Sequence, residues 1–219
     1  MITLQKLLEG VSYQYEGTLP ELETPILTSD SRKVCPGAVF VAIPGVKVDG
    51  HSFIPAAVEA GAALIVASRP VETSVPLLLV EDAREAYALM AGNFYGNPAR
   101  QMKLVGVTGT NGKTSTTFIM KHVLEQLGEK VGLIGTVFNI IGDVEEEADN
   151  TTPDAMELHA LFDRMVKAGC GWCVMEVSSH ALDQHRVAGL TFHCAIFTNL
   201  TQDHLDYHGS MVEYRLAKQ

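Results

Sequence analysis

Gly106-Val107-Thr108-Gly109-Thr110-Asn111-Gly112-Lys113-Thr114-Ser115 decides the fold. An apolar run from Leu104 to Val107 leads into glycines, then Lys-Thr, then a helical pattern. That is a strand, a turn and a helix N-terminus. Glycines allow backbone N–H groups to surround phosphate oxygens, a lysine supplies a point charge, and a threonine hydroxyl can ligate Mg²⁺. The common spacing G-x-x-x-x-G-K-[ST] needs glycine at position 107, where Val107 stands. The match to a generic ATPase loop is therefore imperfect.

Outward from this stretch, strands and helices alternate. Val39 to Ile43, Ala63 to Ala67 and Leu77 to Val80 read as strands. Ser52 is expected to cap a helix from Phe53 to Ala60, and Asp82 one that runs to about Tyr95. Val11 to Thr28 reads as loop-rich, with Pro20 and Pro25. Gly96-Asn97-Pro98 marks a boundary, giving domains at 1–97 and 98–219. Beyond it come a helix from Thr114 to Leu127, a strand from Val131 to Ile134, and a hairpin turning at Gly142-Asp143. Thr152-Pro153 is expected to open a helix with proline in its first turn. Trp172 to Val177 and Cys194 to Thr198 read as buried strands, and Met211 to Lys218 begins a final helix. The expected fold class is α/β: a small N-terminal α/β domain, then an incomplete P-loop-type domain with a mainly parallel sheet covered on both faces.

Composition excludes several classes. The 219 residues are 47% hydrophobic, enough for a core and against disorder. A net charge of −10 with no Lys/Arg run argues against nucleic acid or a membrane surface as partner. No apolar stretch reaches membrane-span length and no signal peptide opens the chain, so a cytoplasmic protein with reduced thiols is expected.

Two later strands deliver polar residues at their carboxyl ends, where ligands sit in open parallel sheets. One ends at Glu176, followed by Val177-Ser178-Ser179-His180; the other at Thr198-Asn199, followed by Asp203-His204. A carboxylate there can hold Mg²⁺ directly or through water. Ser178-Ser179-His180 lacks the flanking glycines of a nucleophile elbow. Cys170-Gly171-Trp172-Cys173 has no second C-x-x-C, and His204 and His208 lack the glutamate of a zincin.

Gly109-Thr110-Asn111-Gly112-Lys113-Thr114, with its irregular spacing, resembles the phosphate loop of the Mur ligases, the ATP-dependent amide-forming enzymes of peptidoglycan synthesis. Further matching motifs are Asp30-Ser31-Arg32, Asp49-Gly50, Asn150-Thr151-Thr152-Pro153, Met175 to His180, Gln184-His185-Arg186, and Thr198-Asn199-Leu200 through Asp203 to Gly209. Within the family the ordered set is similar to the tripeptide-forming branch. That resemblance implies an acyl phosphate on the D-Glu γ-carboxylate of UDP-N-acetylmuramoyl-L-alanyl-D-glutamate, attacked by a diamino acid, meso-diaminopimelate or L-lysine. It implies ATP and Mg²⁺ as cofactors, and a monomer is expected.

By the same resemblance, Thr108, Gly109, Thr110, Asn111, Gly112, Lys113, Thr114 and Ser115 hold the nucleotide. Thr114, Glu176 and His204 are metal candidates, joined by Lys218 as an N6-carboxylysine. Lys113, Glu176, His204 and Lys218 form the catalytic set; Ser31, Asn150, Thr151, Thr152, Ser178, Gln184 and Arg186 bind the muramoyl dipeptide substrate. Members of the family are longer, so this chain looks like an N-terminal fragment with little or no ligase activity of its own. Other readings are a folylpolyglutamate-synthetase-like or D-Ala-D-Ala-adding ligase, and a non-catalytic nucleotide- or sugar-nucleotide-binding module.

Overall fold

The computed structural model describes residues 2–23, 25–45 and 48–218. The chain divides into two compact units, Met1–Gly96 and Asn97–Gln219.

The first unit contains α1 (Leu4–Leu7), β1 (Leu27–Thr28), β2 (Val39–Ala42), α2 (Ile54–Glu59), β3 (Leu64–Ala67), β4 (Leu77–Leu79) and α3 (Ala83–Phe94). Its four strands pair in parallel in the order β1-β2-β3-β4. Every residue of β2 and β3 is buried, as expected of strands covered on both faces. Phe40, Ala42, Ile65 and Ala67 pack with Ile54 and Ala57 of α2, while α3 lies against β1 and β2. Asn93 of α3 donates its amide to the carbonyls of Leu7 and Glu9 at 3.0 and 2.7 Å, tying down the end of α1.

The second unit contains β5 (Lys103–Thr108), α4 (Lys113–Gln126), β6 (Val131–Ile134), β7 (Phe138–Ile141), β8 (Val144–Glu147), α5 (Ala155–Lys167), β9 (Trp172–Glu176), α6 (Ser179–Asp183), β10 (Cys194–Phe197), α7 (Leu205–His208) and α8 (Met211–Leu216). The sheet order is β10-β5-β9-β6-β7-β8. The first four of these strands are parallel; the β7–β8 hairpin adds an antiparallel edge. Alternate side chains supply two cores. Leu104, Cys173 and Met175 meet Leu158, Leu161, Phe162 and Met165 of α5, while Val105, Val107 and Val174 meet Leu124 of α4. The α5 residues recur at i, i+3, i+4 and i+7, one helical stripe.

The α/β class and the mainly parallel sheets agree with the sequence. Several local expectations do not. Ser52 caps nothing. Asp49 accepts from the His51 amide and starts a 3₁₀ turn, Gly50–Phe53, that runs into α2. Pro153 stands before α5, whose cap is Asp154 accepting from the Glu157 amide. Cys194 to Phe197 is not buried: it is an edge strand paired only with β5, and Phe197 is 50% exposed. α6 and α7 are single-turn helices too short to show a period.

His159 is the polar exception on the α5 stripe. It is 3% exposed, and burial pushes its pKa down to about 4. The unfolded chain therefore binds a proton between about pH 6.5 and 4 that the folded chain refuses, so stability falls as pH drops through that window. Denaturant unfolding at pH 7 and pH 4 should show a loss attributable to His159 of about 3 kcal/mol, absent from His159→Gln.

Candidate active site

β5 ends at Thr108 and α4 begins at Lys113, so four residues form the loop between them. Gly112 precedes the helix at φ 84°, a left-handed conformation that favours glycine. Gly109 is glycine for a stronger reason. A Cβ there would lie 2.0 Å from Thr198 Oγ1 and 2.9 Å from the Asn199 carbonyl. The carboxyl end of β10 thus presses directly on the loop, and hydrogen bonds close the contact. Thr198 Oγ1 donates to the Asn111 carbonyl at 2.7 Å. Asn199 Oδ1 accepts from the Asn111 amide at 3.0 Å, and its Nδ2 donates to the Asn111 carbonyl at 3.0 Å. The Thr110 hydroxyl accepts from the Thr201 amide at 3.0 Å and meets the Tyr214 hydroxyl at 3.0 Å.

Two lysines converge on this loop. Lys113 Nζ donates to the carbonyls of Gly109 and Thr110 at 3.0 and 3.1 Å. Lys218 Nζ donates to the same Gly109 carbonyl and to Thr108 Oγ1, both at 3.1 Å. Lys218 is 8% exposed, against the frayed, solvated end that a penultimate residue suggests. Burial first, and the Lys113 charge second, push its pKa down to about 8. Thr114 is half-buried on the first turn of α4 and Ser115 beside it is exposed.

Glu176 ends β9, in register with Val107 on the neighbouring strand, and is 1% exposed. It is no loose strand-end acid: Oε1 accepts from the Thr136 amide and Oε2 from the Thr136 hydroxyl, each at 3.0 Å. The Thr136 hydroxyl also reaches Thr151 Oγ1 at 3.1 Å. Thr152, 1% exposed, donates its hydroxyl to the Glu176 carbonyl at 2.9 Å and accepts from the Ser178 amide at 3.0 Å. Ser178 caps α6. Arg186 Nη1 donates to the Thr152 carbonyl at 2.7 Å, and its Nη2 donates to Gln184 Oε1 at 2.7 Å. Gln184 Nε2 in turn donates to Tyr207, whose hydroxyl donates to Asp183 at 2.6 Å.

His204 sits at φ 52° before α7, its ring 5.0 Å from that of His180 and 6.0 Å from that of Tyr214. His208 Nε2 lies 2.9 Å from Ser179 Oγ. Burial, with the charges of neighbouring imidazoles, lowers the pKa of both His180 and His208. Asn150 is exposed and stands in the segment that leads into α5. Ser31 belongs to the first unit, on the 3₁₀ turn Ser31–Lys33. That turn is fixed by Asp30, which accepts from Arg32 Nε and Nη2 at 2.8 Å each; these bonds hold its pKa at about 2.

Among the described residues no group of three or more His, Cys, Asp or Glu side chains is arranged to hold a metal ion. A Mg²⁺ ion held mainly by phosphate oxygens and water needs only one or two protein oxygens, which Glu176 and Thr114 can offer. Thr136 and Tyr214 also belong to the site, although no motif in the sequence singles them out. Thr136 was detectable: the strand ending at Ile134 delivers Gly135-Thr136 at its carboxyl end, as β9 delivers Glu176.

Residues 107–219 match the Mur ligase middle domain, and residues 24–95 match the Mur ligase family catalytic domain. The chain belongs to the Mur ligase family. This Mur ligase is 54% identical over 216 residues to the UDP-N-acetylmuramoyl-L-alanyl-D-glutamate–2,6-diaminopimelate ligase of Geobacillus thermodenitrificans, across 99% of this chain and 44% of the relative. It thus spans under half the length of that relative. A solved UDP-N-acetylmuramoyl-L-alanyl-D-glutamate–2,6-diaminopimelate ligase superposes with a TM-score of 0.80 at 25% identity, over 99% of this chain and 44% of its own. The MurF ligase of Thermotoga maritima, crystallised with ADP, superposes with a TM-score of 0.53 at 27% identity, over 89% and 42%.

The glycine contact carries a test. Gly109→Ala must push Thr198 and Asn199 away from the loop while holding an unfavourable φ of 135°. Urea unfolding should show a loss of about 1–3 kcal/mol. A neutral alanine there would contradict the packing described.

Proposed function

We propose that this Mur ligase chain carries the nucleotide-phosphate and acyl-substrate half of an ATP-dependent amide ligase of peptidoglycan precursor synthesis, in the pathway on which cell shape and division depend. Its substrates are UDP-N-acetylmuramoyl-L-alanyl-D-glutamate, ATP and a diamino acid, with meso-diaminopimelate favoured by the activity named for the relatives. In this reading 1–97 binds the uridine substrate, with Ser31 at the nucleotide, and 98–219 binds ATP. These nucleotide substrates are cytoplasmic, so the proposal puts the protein there.

One observation carries the proposal. Two lysine ammonium groups, Lys113 and Lys218, donate to one carbonyl, Gly109 O. Like charges so close need an anion between them, or the loss of one charge. A triphosphate supplies the first. Addition of CO₂ to the neutral Lys218 amine, with release of a proton, supplies the second and creates an anionic metal ligand. The pKa of about 8 makes that neutral amine accessible at physiological pH.

The chemistry assigned to each residue follows. Loop amides from Gly109 to Ser115 and Lys113 orient the phosphates. Mg²⁺, when bound, supplies charge neutralisation at the phosphate oxygens; Thr114, Glu176, His204 and carbamylated Lys218 would hold it. Thr136 keeps both Glu176 oxygens aimed. Arg186, braced by Gln184 and the Thr152 carbonyl, presents a planar fork to a substrate carboxylate, and Asn150, Thr151, Thr152 and Ser178 line the same segment. Holding carboxylate and phosphate together is the main catalytic task, because phosphorylation turns a poor electrophile into a reactive one.

Calorimetry with UDP-N-acetylmuramoyl-L-alanyl-D-glutamate should show binding to the 219-residue chain, weakened about tenfold by Arg186→Ala, with no ADP formed when ATP is added. Joined at Gln219 to the remainder of the Geobacillus relative, the chain should form tripeptide product, and Lys113→Ala should abolish ADP release while leaving uridine-substrate binding intact. Failure of the wild-type chain to bind the muramoyl dipeptide would contradict the proposal.

A further inference from the structure

The amino end of the second unit's sheet holds a cavity of about 270 Å³. It opens at Lys103, the first residue of β5, whereas the glycine loop follows the last. Five residue steps along the strand separate the two ends, about 17 Å at the usual strand rise. The cavity belongs to neither the phosphate loop nor the Glu176–Arg186 segment.

Its walls combine charge and apolar surface. Arg100 and Lys103 contribute two positive charges beside the His193 ring, and among the described residues no carboxylate lines the cavity. Met102, Leu104 and Leu190 supply apolar contact. The cationic side is held in place. Lys103 Nζ sits 4.7 Å from the centre of the Trp172 ring, and the His193 ring meets Trp172 edge-on at 5.6 Å.

His159 of α5 forms the inner wall. It is 3% exposed, and its Nδ1 is closed off with no hydrogen-bond partner. That leaves Nε2 as the ring nitrogen available to a guest. A buried imidazole without a partner is costly, and nothing in the fold of α5 requires histidine on a stripe otherwise made of Leu158, Leu161, Phe162 and Met165. Burial keeps it neutral at physiological pH, so it offers one N–H donor and no charge.

We propose that this cavity is a second ligand site, taking a small organic anion: a phosphate monoester or carboxylate carrying a compact apolar group. Arg100 and Lys103 meet the anionic head, the apolar wall meets the body, and the His159 imidazole supplies a neutral hydrogen bond at the inner wall. The volume sits just below the usual range for small-molecule pockets and suits a guest the size of a substituted benzene ring.

NMR titration of the isotope-labelled 219-residue chain with phenyl phosphate and with benzoate tests this, with phenol as the uncharged control. At least one anion should give saturable shifts at the His159 ring and the Leu190 amide, and phenol should give none. Arg100→Ala combined with Lys103→Ala should weaken that response about tenfold or more, while the amides of Gly109 and Gly112 keep their wild-type positions and so report a folded chain. Three results would overturn the proposal: no saturable local shift with either anion, a response to phenol equal to that of the anions, or a response unchanged in the double variant.

Discussion

The loop at the carboxyl end of β5 depends on the backbone of Gly109. It has no side chain because Thr198 and Asn199 occupy that space. Its carbonyl is the common acceptor of Lys113, at the start of α4, and Lys218, two residues beyond the end of α8. One peptide group therefore couples three distant stretches of sequence: the loop, the β10 exit and the chain's last described turn. The coupling is also electrostatically unfinished. Two ammonium groups share one neutral acceptor, and burial removes the water that would screen them. Under the proposed function, an anion bound here would meet positive charge already in place, the pre-organisation that phosphoryl transfer needs.

The neighbouring strands extend the same device. β9 delivers Glu176 beside β5, and the residue after β6–Gly135 clamps both its oxygens. Thr152 joins the main chain of β9 to the cap of α6, and Arg186 closes on the Thr152 carbonyl. A buried carboxylate and a guanidinium are thus each held by neutral hydrogen bonds rather than by each other.

Much of this was legible in the sequence because it rests on local rules. A strand running into glycines and then Lys-Thr announces the loop, and strand carboxyl ends announce Glu176 and Asn199. The four-strand parallel core follows from apolar runs spaced by helical patterns. What stayed hidden depends on long-range contact. Nothing near Gly109 says that Thr198 will press on it, and nothing near Tyr214 says that its hydroxyl will meet Thr110. The exposed β10 shows the reverse error: Cys-Ala-Ile-Phe is apolar enough for a core strand, yet only one of its edges finds a partner. Cap placement failed at Ser52 and Pro153 for a simpler reason. An aspartate stood close by in each case, and its carboxylate took the cap.

Hydrogen exchange at the loop amides, with and without Mg·ADP, tests the central claim most directly. The Thr110 and Asn111 amides already donate to Asn199 and should exchange slowly in the free chain. Those from Gly112 to Ser115 should exchange fast when free and slow on addition of nucleotide. A loop whose Thr110 and Asn111 amides exchange freely until nucleotide arrives would contradict a pre-formed phosphate cradle built on Gly109.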